Sequence, residues 1–213
     1  MSHTGTRLLL GLLSFVLIGW GVGELLLSVL ASADLNAVRD IAAERSGTVT
    51  QAALVVTWAG SAFLLVPLAL IICPALSRAG LPREALAVAF SLGGAMLIAT
   101  LVKLLVARPR PPVEHLQAVT SWSFPSGHAT QASAFWLSLV LAMPAAGALP
   151  KLTHVAAGVA LLIVLAVAAS RVYLGVHYPS DVVAALLLGI SWAVYVSRCL
   201  REPESLPQGS QAR

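Results

Sequence analysis

Charge is what this chain has least of. Only 10% of its 213 residues are Asp, Glu, Lys or Arg, against roughly a quarter in a soluble domain. With 58% hydrophobic residues, the shortage excludes a water-soluble globule and points to an integral membrane protein. Cysteine is nearly absent too. Cys73 and Cys199 both fall in apolar runs with no CxxC spacing, which excludes a disulfide framework and a thiolate metal site and leaves two small core residues. A net charge of +4 is too small for a nucleic-acid footprint, and several of the basic residues sit in compact clusters rather than in tails. Lysine is scarce beside arginine, 2 against 11, and with abundant Ala and Leu this fits a bacterial chain.

What is present in quantity is long apolar runs. A span needs about 20 apolar residues, and on that ruler there are six: 8–30, 49–76, 85–107, 128–143, 152–169 and 182–196. The predicted fold is therefore all-α, a six-transmembrane helix bundle forming a single membrane domain over 1–213. Ala31-Ser32-Ala33 looks like a signal-peptidase site, but the run before it exceeds a signal core of about 7–15 residues, so it reads as an uncleaved span. Leu35, Val38, Ile41 and Ala42 share one helical face behind Asp34 as an N-cap, which predicts a short amphipathic helix lying on the membrane surface in the loop 34–47. Arg39 and Arg45 there could reach a lipid headgroup. Pro67 predicts a kink in the second span, and Gly93-Gly94 a close helix approach. His3 falls in a disordered start. The polar tail begins at Ser197 and reads as disordered over 201–213.

Counting crossings gives a parity result. Loops 34–47, 108–127 and 170–181 fall on one side of the membrane; both termini and the turns 77–84 and 145–151 fall on the other. The positive-inside comparison is seven basic residues on the termini side against six. Setting aside Lys103, Arg110 and Arg171 as site residues makes it seven to three, which favours cytoplasmic termini and an outward site.

The three polar clusters therefore share one face. Lys103 and Arg110 are seven residues apart, and Pro109 ends the helix so that Arg110 returns from the loop toward Lys103. Snorkelling alone would account for Lys103, but not for the further cations and histidines beside it. Ser126 is a natural N-cap for the fourth span, Gly127 lets an anion approach the backbone, and His128 follows in the first turn. Arg171 stands at the exit of the fifth span. His177 lies just before Pro179, which suits the first turn of the sixth helix, and Asp181 can fix the tautomer of that imidazole. His128, His177 and Asp181 could serve a metal or an anion. Three cations repel a divalent metal and attract a phosphoryl group, so the anion reading is preferred.

Lys103-x6-Arg110-Pro111, Pro125-Ser126-Gly127-His128 and Ser170-Arg171-x5-His177-x3-Asp181 together resemble the signature of the type 2 phosphatidic acid phosphatases (PAP2), which share their site with vanadium-dependent haloperoxidases. The order and internal spacings agree throughout. The resemblance implies a metal-independent lipid phosphatase that needs no cofactor, nucleic acid or obligate protein partner. His177 would attack phosphorus and form a phosphohistidine, Asp181 would orient it, and His128 would act as acid and then base. Lys103, Arg110, Ser126, Gly127 and Arg171 would hold the phosphate oxygens. The implied partners are membrane lipids and a lipid phosphate substrate: undecaprenyl diphosphate first, with phosphatidylglycerophosphate or phosphatidic acid as alternatives. The setting is the inner membrane, with the site facing the periplasm or exterior. A lipid phosphotransferase and a non-catalytic lipid-phosphate binder or transporter are the competing readings. Trp122, Phe124 and Tyr173 read as interfacial anchors, and His115 and His154 as loop and interface residues.

Overall fold

The computed structural model describes residues 3–201. Seven α-helices follow one another: α1 (His3–Ala43), α2 (Gly47–Val56), α3 (Ala62–Arg78), α4 (Pro82–Val106), α5 (Gly127–Ala142), α6 (Pro150–Tyr173) and α7 (Pro179–Arg201), with a 3₁₀ turn (Thr57–Gly60) between α2 and α3. All regular structure among the described residues is helical. Four helices, α1, α4, α6 and α7, are long and apolar enough to cross a membrane, and a fifth crossing results if the bent pair α2–α3 is one span. Helices of this length and apolarity make the chain a membrane protein. α5 has sixteen residues, about 24 Å at 1.5 Å per residue, and packs among α4, α6 and α7 as the central helix of the bundle.

Three expectations change here. The predicted surface helix is not a separate element: α1 runs without interruption for 41 residues, and His3 already belongs to it. The chain has no proline before Pro67, so Ser32 and Asp34 end the apolar run without ending the helix. Asp34 is consequently not an N-cap. It is buried at 4% exposure on the same inward side of α1 as Val38. Second, the span 49–76 is broken by 41° between α2 and α3. The break falls at Gly60 and Ser61, not at the predicted Pro67, which α3 accommodates along with Pro74. A Cβ on Gly60 would sit 2.7 Å from the His128 carbonyl oxygen and 2.6 Å from Val167, so only glycine lets this turn meet α5. The Ser61 hydroxyl caps α3, and Trp136 Nε1 donates to the freed Ala59 carbonyl at 3.0 Å. Third, α7 stays helical through Arg201, past the predicted tail start at Ser197; the rest of the tail lies outside the described residues.

The main core joins α1, α4 and α7 through Val16, Ile98, Val102, Phe124 and Trp192. Gly94 meets Trp192, with a would-be Cβ 2.4 Å from the indole, whereas Gly93 faces open space. A second cluster, Val38, Ala129, Ala168, Val172, Val182 and Ala185, ties α1, α5, α6 and α7. Outward-facing Leu17, Phe63, Leu70 and Leu162 are more than half exposed, as side chains turned to lipid are. Cys73 is half-buried and Cys199 buried, both as free thiols.

Candidate active site

The start of α7 fixes the central pair. Pro179 opens the helix and Asp181 lies in its first turn, where a carboxylate faces the positive end of the helix dipole. Asp181 Oδ2 accepts the Tyr178 N–H at 3.0 Å, the acidic half of a capping box. The same oxygen lies 3.4 Å from His177 Nδ1 and accepts the Ser123 hydroxyl at 2.5 Å. His177 is 2% exposed. Its other nitrogen, Nε2, lies 3.4 Å from an Nη of Arg110. Burial pushes the imidazole from 6.5 down to about 3, against the raising effect of Asp181 and with added lowering from Lys103 and Arg171. The ring is therefore neutral at pH 7, with one nitrogen toward a carboxylate and the other toward the cations.

Those cations come from three elements. Lys103 does not snorkel; its ammonium turns inward and donates to the carbonyls of Trp122 at 2.6 Å and Ser123 at 3.1 Å. Arg110 donates through Nε to Ser121 O at 2.7 Å and through Nη1 to the Val176 carbonyl. Burial lowers the Arg110 pKa, opposed by Asp181. Arg171 is 2% exposed and bonds Thr57 Oγ1 at 2.7 Å and the Gln117 amide oxygen. The three repel one another, and all act on His128 in the first turn of α5.

Four buried polar atoms at this end lack a partner: Arg171 Nε, the Ser126 hydroxyl, Arg45 Nη2 and the Gln131 amide oxygen. Ser126 occupies the N-cap position of α5 as predicted but makes no side-chain cap bond. Gly127 is open, with Lys103 Cε 3.9 Å from where its Cβ would be. Unsatisfied donors, a helix N-terminus and mutually repelling cations are complementary to a tetrahedral oxyanion. Among the described residues, no three His, Cys, Asp or Glu side chains are grouped to hold a metal ion.

The structure brings Lys103, Arg110, Ser126, Gly127, His128, Arg171, His177 and Asp181 to one end of the bundle. It also adds residues the pattern did not single out. Arg108 is 5% exposed and bridges Asp34 at 2.8 Å and Asp181 at 2.6 Å. Ser123 sits against both members of the His177–Asp181 pair. Ala107 makes this possible: it takes a left-handed conformation, φ 48°, at the end of α4, which turns Arg108 inward at a cost of about 1–2 kcal/mol for a non-glycine residue.

The predicted anchors part company. Trp122 is exposed, but Phe124 is fully buried in the main core because the loop folds back over α4. The Tyr173 hydroxyl bonds the Ser46 N–H and carbonyl at 2.9 and 3.0 Å. Arg45 does not reach for headgroups; it donates to the Tyr173 and Glu114 carbonyls, both at 3.0 Å.

Residues 84–204 match the family model described as the PAP2 superfamily. The chain is 32% identical over 139 residues to phosphatidylglycerophosphatase B of Bacillus subtilis, covering 63% of this chain and 67% of the relative. It is 34% identical over 118 residues to a lipid A 1-phosphatase of Rhizobium johnstonii, covering 48% of this chain but only 44% of that protein. Its fold superposes with TM-score 0.76 and 26% identity on the crystal structure of a transmembrane PAP2-type phosphatidylglycerolphosphate phosphatase from Bacillus subtilis, covering 87% of this chain and 93% of that one.

Proposed function

The chain belongs to the PAP2 superfamily, and from that premise we propose that it is a membrane lipid phosphatase working through a phosphohistidine without a metal ion. One arrangement carries the reading: a buried, neutral His177 with Nδ1 toward Asp181 and Nε2 toward Arg110. In the proposed reaction, Nε2 forms a bond to phosphorus as the bond from phosphorus to the lipid oxygen breaks. His128 gives that oxygen its proton. The positive charge developing on His177 is balanced by Asp181. Water, losing a proton to His128, then displaces His177 and releases inorganic phosphate.

Lys103, Arg110, Arg171, the Ser126 hydroxyl and the backbone at Gly127 are the groups we assign to the non-bridging oxygens. Phosphoryl transfer depends mainly on positioning and charge neutralisation, which such a set supplies. A bound phosphate also offsets the mutual repulsion of these cations.

The substrate class is a phosphate or diphosphate monoester of an amphiphilic lipid, because the site lies at one end of a bundle whose outer side chains are turned to lipid. Undecaprenyl diphosphate follows from the sequence reading; phosphatidylglycerophosphate follows from the name of the Bacillus subtilis relative. We assign α5 as the sixth crossing, both termini to the cytoplasm and the site to the periplasmic or exterior face of the inner membrane. The unequal spread of basic residues outside the site supports this orientation.

Purified protein in detergent with excess chelator should release phosphate from one or more of a panel of lipid mono- and diphosphates. His177→Ala should abolish the release. Turnover that survives His177→Ala rejects the nucleophile, and turnover lost to chelator rejects the metal-free route. Labelled phosphate passing to a lipid acceptor instead of water would make the enzyme a phosphotransferase.

A further inference from the structure

Of the buried charged side chains, Asp34 and Arg108 have no task in the reaction above. Asp34 belongs to α1, outside residues 84–204 that match the family model. Yet it is tied directly to the reacting end of α7. Its Oδ1 accepts the Ser180 N–H at 3.0 Å, and its Oδ2 accepts the Ser180 hydroxyl and Arg108 Nη2, the latter at 2.8 Å. Arg108 Nη1 then reaches Ser180 Oγ at 2.8 Å and Asp181 Oδ1 at 2.6 Å. The guanidinium also lies over the Tyr178 ring, 3.9 Å from its centroid.

The fork of Arg108 is thus fixed by two carboxylates, a hydroxyl and a ring. It occupies Oδ1 of Asp181 and leaves Oδ2 to Ser123, the Tyr178 N–H and His177. With Asp34 neutral, the whole charge of Arg108 would bear on Asp181 and draw that carboxylate away from the imidazole. Stability alone gives little reason for the array, since a buried Asp–Arg–Asp set is seldom more stabilising than apolar packing, and α1 already packs on α4 and α7.

We propose that Asp34 is a positioning residue for the reaction: through Arg108 and Ser180 it sets the carboxylate of Asp181, and through that the direction of His177 Nε2. The inference rests on the phosphatase reading for its kinetic consequence, but not for its structural one.

Asp34→Asn tests it, because the amide keeps an oxygen for the Ser180 N–H but removes the charge and puts an N–H donor where Oδ2 accepted from Arg108. We expect kcat to fall about 10- to 100-fold, the size seen when an outer partner orienting a metal-bound imidazole is lost, with KM little changed. Asp34→Glu should restore part of the loss. In the full chain labelled with ¹⁵N-histidine in micelles, the His177 ring nitrogens, assigned through His177→Asn, should shift in Asp34→Asn and move back in Asp34→Glu. An unchanged kcat, a loss carried entirely by KM, or unmoved His177 nitrogens would each overturn the proposal. Should Asp34→Asn fail to fold, Ser180→Ala removes the hydroxyl shared by Asp34 and Arg108 and carries the same expectations at smaller amplitude. Wild-type protein that releases no phosphate from any lipid would defeat the phosphatase reading, and the His177 nitrogens would then decide this one alone.

Discussion

At the end of the bundle where α5 and α7 begin, Asp34, Arg108, Arg171, His177 and Asp181 are each 5% exposed or less. At the opposite end, Arg78, Arg83, Lys151, Arg198 and Arg201 are all exposed. One chain, with few charges to place, treats them in two ways. Exposed charges at an interface keep their water and need no partners. Buried ones lose several kcal/mol of hydration each, and each is held by carboxylates, hydroxyls or carbonyls from a different part of the chain. Ionisable groups kept buried under that penalty are the reason we assign the chemistry to this end.

The contrast is broken most forcefully at Arg108. Arg108→Ala leaves Asp34 and Asp181 buried and without their cation, and losing one partner of a buried pair costs about 3–5 kcal/mol. The expected result is a large fall in the melting midpoint in detergent, with phosphate release lost as well. A variant that melts with the wild type would show that this end tolerates buried charge as easily as the other tolerates exposed charge.

That Arg108 matters was not legible in the sequence, and the reason is physical. Span counting uses only the length of apolar runs, so it put the three clusters on one side without any coordinates. Spacing within each motif did the same for Lys103, Arg110, His128, Arg171, His177 and Asp181. Asp34 escaped because a polar residue after an apolar run reads equally as a helix start or as a helix interior, and the absence of proline before residue 67 was the signal to weigh. Arg108 escaped because its inward turn depends on a left-handed alanine, which no propensity predicts. The break at Gly60 depends on how closely α5 approaches, a tertiary fact. Ser123 was hidden in a loop whose fold-back over α4 no periodicity records.

Acid sharpens the comparison next. In the folded chain the His177 pKa is about 3, against 6.5 for the free side chain. Between those values the unfolded chain binds a proton that the folded chain does not. Stability from this group is therefore full above about pH 6.5 and falls as the pH drops toward 3. The melting midpoint in detergent should decline from pH 7 to pH 4.5, and the decline should be shallower in His177→Asn. Equal slopes would mean that the buried end does not hold the imidazole neutral, and that other groups set the acid response.

The exposed end supplies the smallest effect. Lys151 is exposed in the first turn of α6, where its ammonium faces the positive end of the helix dipole. That placement is unfavourable by no more than about 0.3–1 kcal/mol and is screened by water and salt. Lys151→Ala should therefore shift stability by less than about 0.5 kcal/mol, toward greater stability if at all, with phosphate release unchanged. The same melts and phosphate assay used for Arg108→Ala measure it. A loss comparable to that of Arg108→Ala would mean that charge at this end is coupled to the site across the length of α6, which carries Lys151 at its start and Arg171 near its close. An unchanged melt and turnover would leave the reacting groups dependent only on the charges buried beside them.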